Sequence, residues 1–324
     1  MRAVRVSVLQ GPEAVELSEV DEPAAGEGVV VDVHAAGVAF PDALLTRGLY
    51  QYRPTLPFTI GSELAGVVRS APAGSGFQAG DRVLGLTMLV DAMAETAVLP
   101  VDRVFPMPAG MSFEAGAGLL FNDLTVHFAL RVRGRLVAGE TVLVHGAAGG
   151  IGTSTLRLAQ ALGASRVIAV VSNPDKADVA RANGATDVVA VDGFKDAVAE
   201  LTGGRGVDIV MDPVGGDRFT DSLRSLAPSG RLLVVGFTAG DIPTVKVNRL
   251  LLNNIDVVGV GWGAWAMAHP ETLRRQWDEL AALFDSGTLS APQPQVYPFT
   301  EAAAALAALE NRTALGKVVL RVRD

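Results

Sequence analysis

The sequence predicts an α/β chain in two parts, a β-rich domain and a doubly wound parallel sheet. Three observations carry that expectation. Residues 1–105 hold short β-rich runs broken by Gly and Pro, strands and helices alternate from residue 141 onward, and the strand at 142–145 runs straight into a glycine-rich turn. The length, 324 residues with 49% hydrophobic and 19% charged, suits a packed chain of more than one domain.

Taken in order, β-rich runs fall at 29–34, 64–68 and 82–86. After the PMPAG stretch at 106–110 come small-residue helical segments at 112–120 and 124–131, which places a boundary near residue 120. Beyond it the chain reads as strand 142–145, helix 150–162, strand 166–171 and helix 174–182. Strand 207–211, helix 218–226, strand 231–235 and strand 255–258 follow. This repetition implies a parallel sheet covered on both faces, with right-handed crossovers. Helices at 271–285 and 300–309 and a strand at 317–322 close the chain. The helix at 300–309 is nearly all Ala and Leu, so it is expected to pack on another element as the chain returns to its first domain. The expected domains are therefore 1–120 and 121–261, with 262–324 as a C-terminal segment that rejoins the first.

Composition removes several functions. The net charge is −8 and neither end carries a run of Lys or Arg, so no nucleic-acid partner is expected. The chain has no cysteine, which removes disulfides, thiolate nucleophiles and cysteine-ligated metals. The start alternates like a strand and does not read as a signal peptide. The apolar window at 250–261 is interrupted by Asn253, Asn254 and Asp256, short of the ~20 residues of a membrane span. A cytoplasmic protein with no membrane partner is expected.

The strongest motif is TVLVHGAAGGIG at 141–152, an apolar strand opening through glycines into a helix. Glycines there let the backbone turn tightly, approach a pyrophosphate and pack helix against strand. Ala148, Gly149, Gly150 and Ile151 would present free N–H groups and the positive helix end to phosphates. A tight turn without ligand is the alternative; a Walker loop is excluded, since no Lys followed by Ser or Thr closes the glycines. The second strand decides which dinucleotide binds. An NAD enzyme usually keeps an acid at its end, whereas Val171 stands here, followed by Ser172 and Lys176, both suited to a 2′-phosphate. NADPH is the expected cofactor, although Asp175 could neutralise Lys176 as part of an ordinary solvated helix start.

Several stretches resemble the zinc-free quinone oxidoreductase family of the medium-chain dehydrogenase/reductase superfamily. They are GVAFPD at 37–42, RGLY at 47–50, GSE at 61–63, the loop at 141–152, TGGRGVD at 202–208, DPVGG at 212–216 and GRLLVVGF at 230–237. The match spans nearly the whole chain in the family's order. It implies a GroES-like β-rich catalytic domain around a Rossmann domain, with the cofactor in the cleft between them. Phe40 and Ser62 stand where zinc-dependent members carry ligands, leaving only Glu63, and His34, His127, His145 and His269 show no metal-ligand spacing. No metal is expected.

The resemblance also implies site residues. Tyr50 matches the tyrosine beside the nicotinamide, as catalytic donor or cleft lining, while Ala39 replaces the family's common Asn. Thr125 matches a contact to the nicotinamide ribose or ring, Val214 the adenosine side, and Phe237 with Thr238 the nicotinamide end. Arg312 matches the arginine at the 2′-phosphate and Lys317 a basic position that can meet the pyrophosphate; either could be a surface cation. Trp262 and Trp265 would border the substrate cleft or pack in the core, among loops at 86–97 and 261–269. The strand at 255–259 is the expected edge of a homodimer.

Without a Lewis acid, hydride must go to a substrate that is already polarised, a quinone or other activated carbonyl. Reduction of an enal, enone or enoyl-thioester C=C bond is the rival within the enzymes. A catalytically silent NADPH-binding protein is the rival of another class.

Overall fold

The computed structural model describes residues 1–323. Its first strands are β1 (Arg2–Val6), β2 (Val15–Glu19) and β3 (Val29–Val38), followed by helix α1 (Phe40–Thr46). Strands β4 (Phe58–Thr59), β5 (Glu63–Ser70), β6 (Arg82–Leu86), β7 (Thr96–Leu99) and β8 (Val104–Pro106) come next. Where a helix was expected over 112–120, the chain forms α2 (Phe113–Ala117) and then α3 (Leu120–His127), with Gly118 as the C-cap of α2. Past His127 the helix widens into a π-helical stretch, Phe128–Arg133.

The alternating region gives β9 (Thr141–Val144), α4 (Gly150–Ala161), β10 (Arg166–Val171) and α5 (Pro174–Ala182), then β11 (Asp187–Ala190), α6 (Phe194–Leu201) and β12 (Val207–Asp212). The helix expected over 218–226 is shorter, α7 (Phe219–Arg224), because Leu226 already belongs to β13 (Leu226–Val234). Helix α8 (Asn248–Asn253) and strand β14 (Asp256–Gly259) follow. The stretch at 261–269, read as a loop, forms α9 (Trp262–Ala268), which buries Trp262, while the Trp265 ring lies 4.7 Å from that of Phe128. The chain closes with α10 (Glu271–Asp285), β15 (Gln295–Pro298), α11 (Ala302–Glu310) and β16 (Val318–Arg321).

The chain divides into two compact units, Met1–Asn122 with His269–Asp324, and Asp123–Ala268. In the first, β15-β16-β3-β5-β6-β8 form one sheet, β7 also pairs with β3, and β2-β1-β4 form a second, smaller one. A core of Val, Leu, Ile and Ala side chains unites these sheets with the apolar face of α11. In the second unit six parallel strands run in the order β11-β10-β9-β12-β13-β14, with every strand pair parallel. Strands β9, β10 and β12 are almost wholly buried, which explains why Val, Ile and Leu dominate them. Strand β14 forms the sheet's edge, as the C-terminal neighbour of β13. Among the described residues no helix is long and apolar enough to cross a membrane.

Candidate functional site

The order of the six-stranded sheet reverses at β9, whose neighbours are β10 on one side and β12 on the other. Ligands of open α/β sheets bind outside the carboxyl ends of the strands at such a point. His145, just past β9, donates its backbone N–H to Met211 O of β12 at 3.0 Å. Gly146 then takes φ 57°, a left-handed conformation that turns the chain, and Gly149 donates its N–H back to Gly146 O at 2.9 Å.

The two glycines that follow have different tasks. A β carbon on Gly152 would fall on the Gly146 carbonyl oxygen and within 2.6 Å of Ala147 backbone atoms, so helix and loop touch there. One on Gly149 would meet only Gly146 O, at an ordinary 3.4 Å. Gly149 is also the N-cap of α4 and has no side chain to satisfy the first amides. Its glycine therefore keeps open a surface lined by the N–H groups of the first turn, where Ala148 is buried and Gly150 and Ile151 are half-buried. That cradle fits a pyrophosphate.

Other expected residues gather on the same edge. Val214 follows β12 so closely that a β carbon on Gly146 would lie 3.2 Å from its Cγ2. The turn holding Val214 is fixed by Asp212, whose Oδ1 accepts the N–H groups of Val214 and Gly215 at 2.9 Å each. Burial raises the Asp212 pKa, and those two hydrogen bonds oppose the rise. Thr238 donates its N–H to Pro213 O at 3.1 Å, and Phe237 borders Gly215, so both join this turn. At the end of β10, Val171 is buried, Ser172 is exposed and Lys176 is half-buried. Asn173 caps α5 by accepting the Lys176 N–H at 3.0 Å. Thr125 lies nearly buried on α3.

His145 itself is buried and uncharged near neutral pH. Ser222 Oγ donates to Arg218 O at 2.9 Å, so it accepts from His145 Nε2 at 2.8 Å, which fixes the tautomer. Burial, assisted by the Arg218 charge, lowers the His145 pKa to about 3. The imidazole stays neutral behind the glycine loop.

The remaining candidates belong to the first unit. Tyr50 is half-buried against its core, and burial, helped by the Asp42 carboxyl, raises its pKa, so the phenol stays protonated near neutral pH and can donate a hydrogen bond. Arg312 is exposed just past α11 and takes φ 59°. Lys317 requires a correction. Its side chain is 4% exposed and its Nζ lies 2.6 Å from Glu63 Oε1, so its charge is already paired inside the unit, which speaks against the expected pyrophosphate contact. The other Glu63 oxygen accepts the Phe121 N–H at 2.8 Å.

Two groups escaped the sequence reading. Asp42, wholly buried, accepts the Ala39 N–H at 2.7 Å and the Ser62 hydroxyl at 3.0 Å. Its signal was available, since an acid directly after Phe40-Pro41 is a helix-start pattern. The second is Asp123 with its partners Ser154 and Arg157 on α4. A lone acid in the apolar stretch LLFNDLTV was the only mark it left.

Comparison with known proteins agrees with this geometry. Residues 25–109 match the alcohol dehydrogenase GroES-like domain and residues 150–285 the zinc-binding dehydrogenase domain. A quinone oxidoreductase of Pseudomonas aeruginosa is 34% identical over 98% of this chain and 99% of its own. The crystal structure of a probable oxidoreductase from Mycobacterium abscessus, 42% identical, superposes with a TM-score of 0.90 over 99% of both chains. The Escherichia coli quinone oxidoreductase, solved in complex with NADPH, is 29% identical with a TM-score of 0.87 over 99% of this chain and 100% of its own. An open glycine loop at the switch point of a parallel sheet, in a chain that also holds a GroES-like domain and is in full-length register with such relatives, places the chain in the quinone oxidoreductase family of the medium-chain dehydrogenase/reductases.

Proposed function

We propose that the chain is an NADPH-dependent oxidoreductase that passes hydride, without zinc, to a quinone or another activated carbonyl. The observation that carries this reading is the carboxyl edge of the six-stranded sheet. Gly149 stands open at the head of α4, and the neighbouring strand ends in Val171, followed by Ser172 and Lys176, where an acid would select NADH. The NADPH complex of the Escherichia coli relative supports the same cofactor. NADPH would supply the hydride. The amides at 149–151 would hold its pyrophosphate, Ser172 and Lys176 its 2′-phosphate, Val214 its adenosine side, and Phe237, Thr238 and Thr125 its nicotinamide end.

A zinc ion does not suit the donors present. Phe40 and Ser62 occupy the matching positions, and Glu63 is paired with Lys317. Among the described residues no three His, Cys, Asp or Glu side chains are grouped to hold a metal. The acceptor must therefore arrive polarised, and the Tyr50 phenol is the group proposed to donate to its oxygen. We further propose a cytoplasmic homodimer paired along β14; in the segment just before it Val247, Leu251 and Leu252 stand more than two-thirds exposed.

A steady-state panel tests the reading, with NADPH or NADH against a quinone, an enal and an enoyl thioester, each with and without a chelator. NADPH oxidation by the quinone, indifferent to chelator, is expected. Preference for NADH, or loss of turnover on chelation, would overturn it, and turnover with the enal or thioester alone would replace the acceptor.

A further inference from the structure

Asp123 is a single acid in an apolar helix, and its side chain is wholly buried. Ser154 Oγ donates to its Oδ1 at 2.5 Å, and Arg157 Nη2 donates to the same oxygen at 2.7 Å. The Arg157 side chain is itself only 4% exposed. Desolvating both charges largely cancels their attraction, so an enclosed pair of this kind is weak evidence for stability. What it supplies is geometry, because charge-assisted bonds fix direction and spacing where apolar contacts tolerate sliding.

Its position shows which geometry is fixed. Ser154 and Arg157 stand three residues apart on one face of α4, and Ser154 is one turn beyond Gly150, just behind the phosphate-facing end. On α3, Asp123 and Thr125 are two residues apart, about 200° around the helix. Asp123 therefore grips α4 from the opposite side of the turn that carries Thr125.

We propose that Asp123 is a positioning residue for the bound dinucleotide: through Ser154 and Arg157 it holds Thr125 at a fixed place relative to the glycine loop, so that one NADPH molecule can engage both. The proposal rests on the reading of the loop and Thr125 as nucleotide contacts. It goes beyond that reading by giving the buried pair a task in cofactor affinity.

The test measures NADPH dissociation constants by fluorescence titration, with KM, kcat and thermal midpoints, on the full chain. The variants are Asp123→Asn, Ser154→Ala, Thr125→Val, Asp123→Asn with Thr125→Val, and Gly149→Val. Asp123→Asn should raise the NADPH Kd and KM roughly tenfold and Ser154→Ala about threefold, with kcat changing less than KM. If Asp123 acts through Thr125, adding Asp123→Asn to Thr125→Val should cost less than about twofold more. Lower thermal midpoints with NADPH affinity within about twofold of wild type would overturn the proposal, as would fully multiplicative losses or no loss in Thr125→Val alone. If Asp123→Asn does not fold, Ser154→Ala decides, since it removes one hydrogen bond from a small helical side chain. Gly149→Val separates the two failures: unchanged NADPH affinity there would sink the nucleotide site itself, whereas a loss there beside an unaffected Ser154→Ala sinks only the role of Asp123.

Discussion

The carboxyl edge of the six-stranded sheet and the polar centre of the first unit treat charge in opposite ways. At the sheet edge the polar atoms are backbone amides, left open because Gly149 has no side chain, and the cation in attendance, Lys176, is half-buried. In the first unit Asp42, Ser62, Glu63 and Lys317 are all at most 4% exposed and bond to one another or to nearby backbone. An anion can be met at the first place and not at the second. Ionisable side chains mark a site only when something other than the protein is left to satisfy them. By that standard Glu63 and Lys317 are satisfied within the unit, and Tyr50 is the group there for which chemistry is proposed.

The sharpest way to break this comparison is to put a side chain on each of the two loop glycines. Gly152→Val should abolish measurable NADPH binding and lower the thermal midpoint, because its β carbon falls on the Gly146 carbonyl. Gly149→Val should keep the midpoint within a few degrees yet weaken NADPH roughly a hundredfold. Melting curves and titrations read both, and equal midpoint losses would mean that Gly149 is structural as well. Next in size is Lys317→Met, which strands a buried carboxylate and should cost about 3 to 5 kcal/mol in denaturant unfolding. A loss below about 1 kcal/mol would reopen Lys317 as a phosphate ligand.

Lys176→Ala and Arg312→Ala should each raise the NADPH Kd about ten- to a hundredfold, leave NADH nearly unchanged and lose part of their effect in high salt. Equal losses for both cofactors would remove the 2′-phosphate from this edge. The smallest effect is a pH dependence. Burial pushes the Asp42 carboxyl up from 3.8 to about 7, so between those values the folded chain holds a proton that the unfolded chain releases. The stability it contributes is complete below pH 3.8 and is lost as pH rises through about 7. The unfolding free energy of wild type minus that of Asp42→Asn should therefore fall by about 1 to 3 kcal/mol from pH 5 to pH 7. A flat difference would show an Asp42 that is ionised throughout.

What the sequence discloses follows the range of the interaction. The glycine loop, the strand ends at Val171 and Asp212, and helices α5 and α10 arise from neighbours in the chain, so periodicity, caps and glycine spacing predict them closely. The pairing of Lys317 with Glu63 joins the residue just before β16 to the first residue of β5, far apart in the chain, and no local pattern announces it. Lys317 reads equally well as a phosphate ligand until its partner is known. The same holds for Asp123, whose partners lie on the next long helix. Helix α9 was missed for another reason: WGAWAMA lies between Gly261 and His269-Pro270, and these breakers outweigh its propensity in a linear reading.

The pairing of β3 with β16, Val38 opposite Val318 and Gly37 opposite Val319, carries a consequence for how the molecule is made. The unit at Asp123–Ala268 is one unbroken stretch and holds all six of its strands as soon as that stretch has left the ribosome. The other unit has a central strand from its beginning and the neighbour of that strand from its end. Until β16 is translated, the β3 edge at residues 35–38 and the apolar face awaiting α11 stay uncovered, and contacts this distant in sequence are the slowest to form. Synthesis therefore sets an order in which the nucleotide sheet matures first and the β-rich unit depends longest on protection from aggregation.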